Sequence, residues 1–149
     1  MGVQIRLATS EDYSECVRLL AVLGESTGGD QSAFINREVF SKMLDGERGA
    51  ILIAEEDGKA LGMSSISFNI ALRYKESYCQ LEELVVDPAA RGKNVGGLLV
   101  EAAVQKARQK GCNDFGLYLM KTTEHNQPFY EKYGFIKVGS EMRQTLNQP

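Results

Sequence analysis

The segment Asp87-Pro88-Ala89-Ala90-Arg91-Gly92-Lys93-Asn94-Val95-Gly96-Gly97 constrains this chain more than any other. It follows an apolar run, Leu81 to Val86, and precedes a long helical pattern, Val95 to Lys110. A strand that ends in Asp-Pro, a basic glycine-containing loop and a helix start bring three things to one place. These are the unpaired N–H groups of the first helical turn, the positive end of the helix dipole, and the cations Arg91 and Lys93. Together they form an anion site suited to a diphosphate, and Gly92, Gly96 and Gly97 let the backbone approach it closely. The loop matches neither G-x-x-x-x-G-K-[ST] nor a G-x-G-x-x-G dinucleotide fingerprint. The bland alternative is a surface turn carrying two solvated cations.

The flanking chain alternates helical and strand patterns. Val3, Ile5 and Leu7 alternate with polar residues as in a strand, and Thr9-Ser10-Glu11-Asp12 reads as a capped helix start. Cys16, Val17, Leu19, Leu20 and Leu23 form an apolar face that Gly24 should end. Glu25 to Gln31 reads as a loop, and Ser32 to Leu44 as a second helix. Ala50 to Ala54 is a buried strand, Asp57-Gly58 a hairpin turn, and Ala60 to Leu72 and Tyr78 to Val86 two further strands. After the Val95–Lys110 helix, closed by Gly111, come a strand at Phe115, Leu117 and Leu119, a short helix from Asn126 to Tyr133, and a last strand within Phe135 to Leu146. The order is β-α-α-β-β-β-α-β-α-β, a mixed sheet with helices on both faces.

At 149 residues, 43% hydrophobic and 25% charged, the chain has the makeup of one soluble globular domain. Its net charge of −3 argues against a nucleic-acid partner. The three cysteines have neither C-x-x-C spacing nor even number, so free buried thiols in a reducing cytosol are expected. No apolar run has membrane-spanning length, and no signal peptide is apparent. The expectation is a cytoplasmic protein without a membrane partner.

The loop motif Arg91-Gly92-Lys93-Asn94-Val95-Gly96 resembles the Q/R-x-x-G-x-G/A hallmark of the GNAT superfamily of acetyl-coenzyme A-dependent N-acetyltransferases. The start Ile5-Arg6-Leu7-Ala8-Thr9-Ser10-Glu11-Asp12 and the ending Phe129-Tyr130-Glu131-Lys132-Tyr133-Gly134-Phe135 resemble that family in the same order and spacing. The resemblance implies a single α+β (mixed α/β) domain over residues 1–149. Its central sheet would be mostly antiparallel, with six to seven strands and helices on both faces. It implies acetyl-CoA as co-substrate, no metal, and transfer to an amine of a small molecule or peptide. It also implies a homodimer. Asn94 stands where the family usually has glycine; a position of positive φ is expected there, which Asn tolerates better than other side chains.

Glu82 and Glu83 lie inside an otherwise apolar strand, where period-2 alternation should send them to opposite faces. An alkylamine of pKa about 10.4 must lose a proton to become a nucleophile, and a carboxylate can take it. The resemblance favours Glu82, nine residues before the loop arginine. Glu83 as base and a purely structural pair remain open. The resemblance makes Tyr130 the acid that protonates the departing thiolate; a core tyrosine is the alternative. It also assigns main-chain contacts with the pantetheine arm to Leu84, Val85 and Val86, and coenzyme contacts to Arg91, Gly92, Lys93, Asn94, Val95, Gly96 and Gly97. It assigns a further contact with the pantetheine arm to Asn126, one helical turn before Tyr130; the family often has its Asn three residues earlier, where this chain has Thr123. His125 is the only histidine, so a histidine triad or metal site has little support. The acceptor should be shaped by Gly24 to Phe34 and Arg73 to Tyr78. A domain of this kind that binds an acyl-CoA without turnover is the alternative function.

Overall fold

Alternation along the second strand sets the layering. In β2 (Gly49–Glu56), Ala50, Leu52 and Ala54 point to one side and Ile51 and Ile53 to the other, and all five are buried. Such a strand needs a helical layer on each face, as the apolar run Ala50 to Ala54 implies. The computed structural model describes residues 2–27 and 35–147. Among these, the sheet holds five strands in spatial order β1 (Gln4–Leu7), β2, β3 (Lys59–Ile70), β4 (Ser77–Val86) and β5 (Phe115–Leu117). The first four pair antiparallel and β5 runs parallel to β4.

The mostly antiparallel mixed α+β sheet is therefore present, with five strands among the described residues rather than six to seven. The difference lies at the end of the chain. Residues 135–147 make no ladder, so the expected last strand within Phe135 to Leu146 is absent. Periodicity prepares a strand, but only a neighbouring edge makes one.

One face of the sheet carries α3 (Val95–Lys110), the crossover from β4 to β5. Its Val95, Leu99, Ala103 and Ala107 pack on Leu52, Leu61, Ile66 and Leu81. The other face carries α1 (Tyr13–Thr27) and α2 (Arg37–Lys42), whose Cys16, Leu19 and Phe40 cover Ile51, Ile53, Met63 and Val85. Burial pushes the Cys16 and Cys79 thiols up to about 12, so both are inert packing groups. No helix among the described residues is long and apolar enough to cross a membrane.

Two helix boundaries differ from expectation. α1 runs through Gly24 to Thr27, because Gly24 is buried within the helix. The Ser26 and Thr27 hydroxyls donate to the Leu23 carbonyl at 2.9 Å each. α2 begins later, at Arg37, capped by Asn36, whose side chain accepts from the Val39 N–H at 2.8 Å. The expected loop and helix start between residues 28 and 34 lie outside the described residues.

The start of α1 is clasped to the sheet. Thr9 and Asp12 form a reciprocal capping box, and the Asp12 carboxylate accepts from the Thr9 N–H at 2.7 Å. Arg6 donates two hydrogen bonds to Asp12, at 2.8 and 2.9 Å, and reaches Glu55 on β2 at 3.0 Å. Hydrogen bonding from Arg6 is the main reason that the Asp12 carboxyl sits below its usual range; burial opposes it. A depressed carboxyl stabilises the fold above its unfolded pKa, about 3.9, and loses that contribution as pH falls through its folded value. Asp12→Asn should cost about 1–2 kcal/mol in urea unfolding at neutral pH, a value moderated by the partial exposure of Arg6. The difference from the parent should shrink in acid.

Candidate functional site

A single extra residue in β4 organises the site. Ser65 of β3 faces Glu83 and Ile66 faces Leu81, so Glu82 is inserted as a β-bulge. The alternation restarts there. Cys79 and Leu81 point to the α3 side, and beyond the bulge so do Leu84 and Val86, while Val85 turns to the α1 side. Glu82 and Glu83 consequently share the α1 face. Ser67 donates to Glu82 at 2.6 Å and Ser65, two residues away on regular β3, donates to Glu83. The expectation that adjacent acids must face opposite ways is corrected, because the bulge suspends period-2 alternation.

The two carboxyls differ in setting. Glu82 is exposed and Glu83 half-buried. Burial is the main cause that raises the Glu83 carboxyl above its usual value, and the neighbouring Glu82 charge adds to it; the Ser65 hydrogen bond opposes both.

The bulge also marks where two strands part. The parallel ladder pairs Cys79, Gln80 and Leu81 with Phe115, Gly116 and Leu117, and stops there. Beyond it, Leu84, Val85 and Val86 remain paired to β3 but have no ladder toward β5. Their main-chain groups on that edge have no strand partner among the described residues.

The open edge leads into the glycine loop. A 3-10 turn (Pro88–Ala90) follows Asp87, whose carboxylate accepts from the Ala89 N–H at 2.9 Å and from Arg18 at 2.8 Å. Those bonds, the backbone one first, hold the Asp87 carboxyl below its usual range. Arg18 also bonds Glu15 at 2.7 Å and the Ala60 carbonyl at 3.2 Å, tying α1 and β3 to the loop. Gly92 has φ of 87° and Asn94 a φ of 57° with ψ of 32°, the left-handed region expected for Asn94. Asn94 precedes α3 without capping it through its side chain. Its amide oxygen lies instead against Gly97, where an added Cβ would overlap it and the Tyr133 hydroxyl. At Gly96 a Cβ would stand 3.4 Å from the Phe129 ring. Of the two loop cations, Arg91 is exposed and Lys93 pairs with Glu56 at the end of β2.

Tyr130 lies on α4 (Gln127–Glu131), entered through a 3-10 turn (Lys121–Asn126) and closed by Gly134 at φ of 93°. Its ring packs edge-on against Phe129 and Phe135, and burial pushes its phenol above the usual value. Tyr130 lines a cleft of about 740 Å³ along the free edge of β5. Asn126 closes the 3-10 turn one helical turn before Tyr130 and makes no side-chain cap for α4. His125 is exposed in the same turn. Among the described residues no group of three His, Cys, Asp or Glu could hold a metal.

Sequence reasoning missed Ser65, Ser67 and Arg18. The alternating serines opposite two acids were a legible signal, whereas the reach of Arg18 to Asp87, 69 residues away, had none. Of the two acceptor segments, Arg73 stacks over Tyr74 and Tyr78, with the guanidinium 4.8 and 5.5 Å from the ring centres. All three line the β5-edge cleft. Of Gly24 to Phe34, only Gly24 to Thr27 is described, and the Thr27 carbonyl accepts from Thr122 at 3.3 Å, beside the 3-10 turn that leads to α4.

The description "Acetyltransferase (GNAT) family" belongs to the family whose sequence pattern matches residues 15–135. A glucosamine 6-phosphate N-acetyltransferase of Trypanosoma brucei brucei is 25% identical over 98% of this chain and 97% of its own length. An aminoalkylphosphonate N-acetyltransferase of Salmonella typhimurium is 31% identical over 73% of this chain and 69% of its own. A crystal structure described as a transcriptional regulator from Bacillus halodurans superposes with a TM-score of 0.83 at 25% identity, covering 97% and 99% of the two chains.

The conformation of Asn94 makes a test that needs no ligand. Asn94→Ala puts an ordinary side chain at φ of 57° and should lower stability by about 1 kcal/mol in denaturant unfolding. Asn94→Gly, which carries no such penalty, should keep parental stability within a few tenths.

Proposed function

The chain belongs to the GNAT family of N-acetyltransferases, and we propose that it moves an acetyl group from acetyl-CoA directly to a primary amine in a ternary complex. The observation that carries this reading is the continuity of the site. The open β4 edge at Leu84–Val86 runs straight into the loop and the α3 N-terminus, whose first turn Asn94 leaves uncapped. An extended pantetheine arm suits the first and a diphosphate the second. The first-turn N–H groups with Gly96 and Gly97 would hold the diphosphate, supported by Arg91, and by Lys93 once it leaves Glu56.

The chain's own groups then divide the proton work. Glu82, exposed on the α1 face, takes the proton of the attacking ammonium directly or through water. Glu83 beside it supplies a second carboxylate that draws a cationic amine to the same face. As the nitrogen–carbon bond forms, main-chain N–H groups at Leu84–Val86 stabilise the charge that develops on the thioester oxygen. The carbon–sulfur bond breaks and the thiolate, with a pKa near 8.5, takes the Tyr130 proton. Burial keeps that phenol protonated at neutral pH. The relatives named above act on small amines that bear a phosphate or phosphonate, which supports a small-molecule acceptor over a peptide.

Screening amines for coenzyme A thiol release should identify an acceptor. On that acceptor, Tyr130→Phe and Glu82→Gln should each lower kcat by about 10²–10⁴-fold, with acetyl-CoA affinity retained in calorimetry. Parental turnover in both variants would refute the assignment.

The raised carboxyl of Glu83 separates its role from that of Glu82. A buried carboxyl with an elevated pKa costs stability when ionised, and that cost vanishes in acid, where it is neutral in both folded and unfolded states. Glu83→Gln should therefore raise the thermal midpoint at neutral pH and leave it nearly unchanged in acid.

A further inference from the structure

Strand β3 places Ser65, Ser67 and Asn69 at successive positions of one face, the face on which Met63 is buried beneath α1. Across from them on β4 stand Tyr78, Gln80 and the two acids of the bulge. A polar end of the sheet that no helix covers would account for the exposure of such groups. It does not account for the way they are bonded.

Ser67 lies in register with Gln80, yet its hydroxyl reaches diagonally along the sheet and donates to Glu82 Oε2 at 2.6 Å. Behind it, Asn69 Nδ2 donates to the Ser67 hydroxyl at 3.0 Å and to the Ser67 carbonyl at 3.3 Å. A carbonyl can only accept, so the end of the Asn69 amide beside it is the NH₂ group, and the amide has one orientation. A serine hydroxyl has a single proton. With the Asn69 NH₂ on a lone pair of Ser67 Oγ, that proton is left to point at Glu82. The other carboxylate oxygen, Glu82 Oε1, takes no hydrogen bond from the described residues. Ser65 donates to Glu83 with no such amide behind it among the described residues.

We propose that Ser67 and Asn69 are positioning residues for the base. Asn69 sets the Ser67 hydroxyl, and Ser67 holds Glu82 with one carboxylate oxygen bonded and the other presented to the acceptor amine. The role rests on the reading of Glu82 as that base. A glutamate has a long side chain and, exposed as this one is, would otherwise spread its carboxylate over many positions. Proton transfer to a base needs hydrogen-bond reach, and a misplacement of about 1 Å costs on the order of 10²-fold in rate. The donors sit on β3, the regular strand, so the straight strand orders a side chain of the bulged one. Neither donor exchanges a proton; the ammonium proton passes to Glu82 Oε1 alone.

One arm of the test needs no acceptor. In the carbon NMR spectrum of glutamate-labelled protein at neutral pH, Ser67→Ala should move the Glu82 carboxylate resonance to that of a solvated glutamate. Asn69→Ala, which removes no bond to Glu82 itself, should move it part of the way. The second arm is turnover on the acceptor found by thiol release, with glucosamine 6-phosphate and an aminoalkylphosphonate as the first probes. Ser67→Ala should lower kcat by about 10- to 100-fold with the KM for acetyl-CoA unchanged. Asn69→Ala should lower it less, and Ser67→Thr, which keeps the hydroxyl, should recover most of the loss. In a Glu82→Gln background Ser67→Ala should cost nothing further, because it acts only through that carboxylate. All variants should keep parental circular dichroism. A resonance that Asn69→Ala leaves unmoved, or losses that add in the double variant, would overturn the proposal. Parental turnover in Glu82→Gln would overturn the assignment of the base, and this role with it. A slow Glu82→Gln beside a Ser67→Ala of parental kcat would overturn this role alone.

Discussion

Strand β4 pairs with β3 along its length but with β5 over only three residues, and that ladder ends at Leu81, immediately before the bulged Glu82. A bulge bends its strand and increases local twist, so a strand that carries one cannot stay in register with a straight neighbour. Two features of the site follow from this defect. The β4 edge from Leu84 to Val86 is left without a ladder partner, and two adjacent carboxylates turn to one face, each held by a serine of β3. Were alternation unbroken through Glu82, Glu83 would face the α3 core, where a carboxylate is costly.

Around that opening the protein has built stiffness. Arg18 links α1, the Ala60 carbonyl on β3 and Asp87 at the loop entrance, while Asn94 and Gly92 hold the loop in backbone conformations that few residues adopt. Gly97 lets Tyr133 and the Asn94 amide close on α3, so the helix carrying Tyr130 is seated against the loop helix. A preorganised loop lowers the ordering cost of holding a long flexible ligand.

Much of this was legible residue by residue. Val95 to Lys110 is the helix that the apolar stripe required, and Gly111 ends it in the left-handed conformation. The Asp57-Gly58 turn has positive φ at both residues, as a tight hairpin demands. Asn94 has the positive φ inferred from its place in the motif. The illegible parts depend on partners distant in sequence. No local pattern distinguishes a bulged Glu82 from a regular one, because the insertion is defined by the register of Ser65 and Ile66 on another strand. Gly24 reads as a stop signal, yet it is buried within α1.

Local chemistry was thus determined by sequence alone: where chain direction changes, which faces are apolar, which loop offers N–H groups and cations to an anion. These are properties of neighbouring residues and are set before the chain folds. Tertiary structure decided which groups meet. Pairing register brought Glu82 and Glu83 to one face, the short β4·β5 ladder left the main chain of Leu84 to Val86 without a partner on one side, and Tyr130 came to lie half-buried against Phe129 and Phe135. Residues 135–147 have the pattern of a strand without forming one, because a strand exists only where a second backbone accepts its hydrogen bonds.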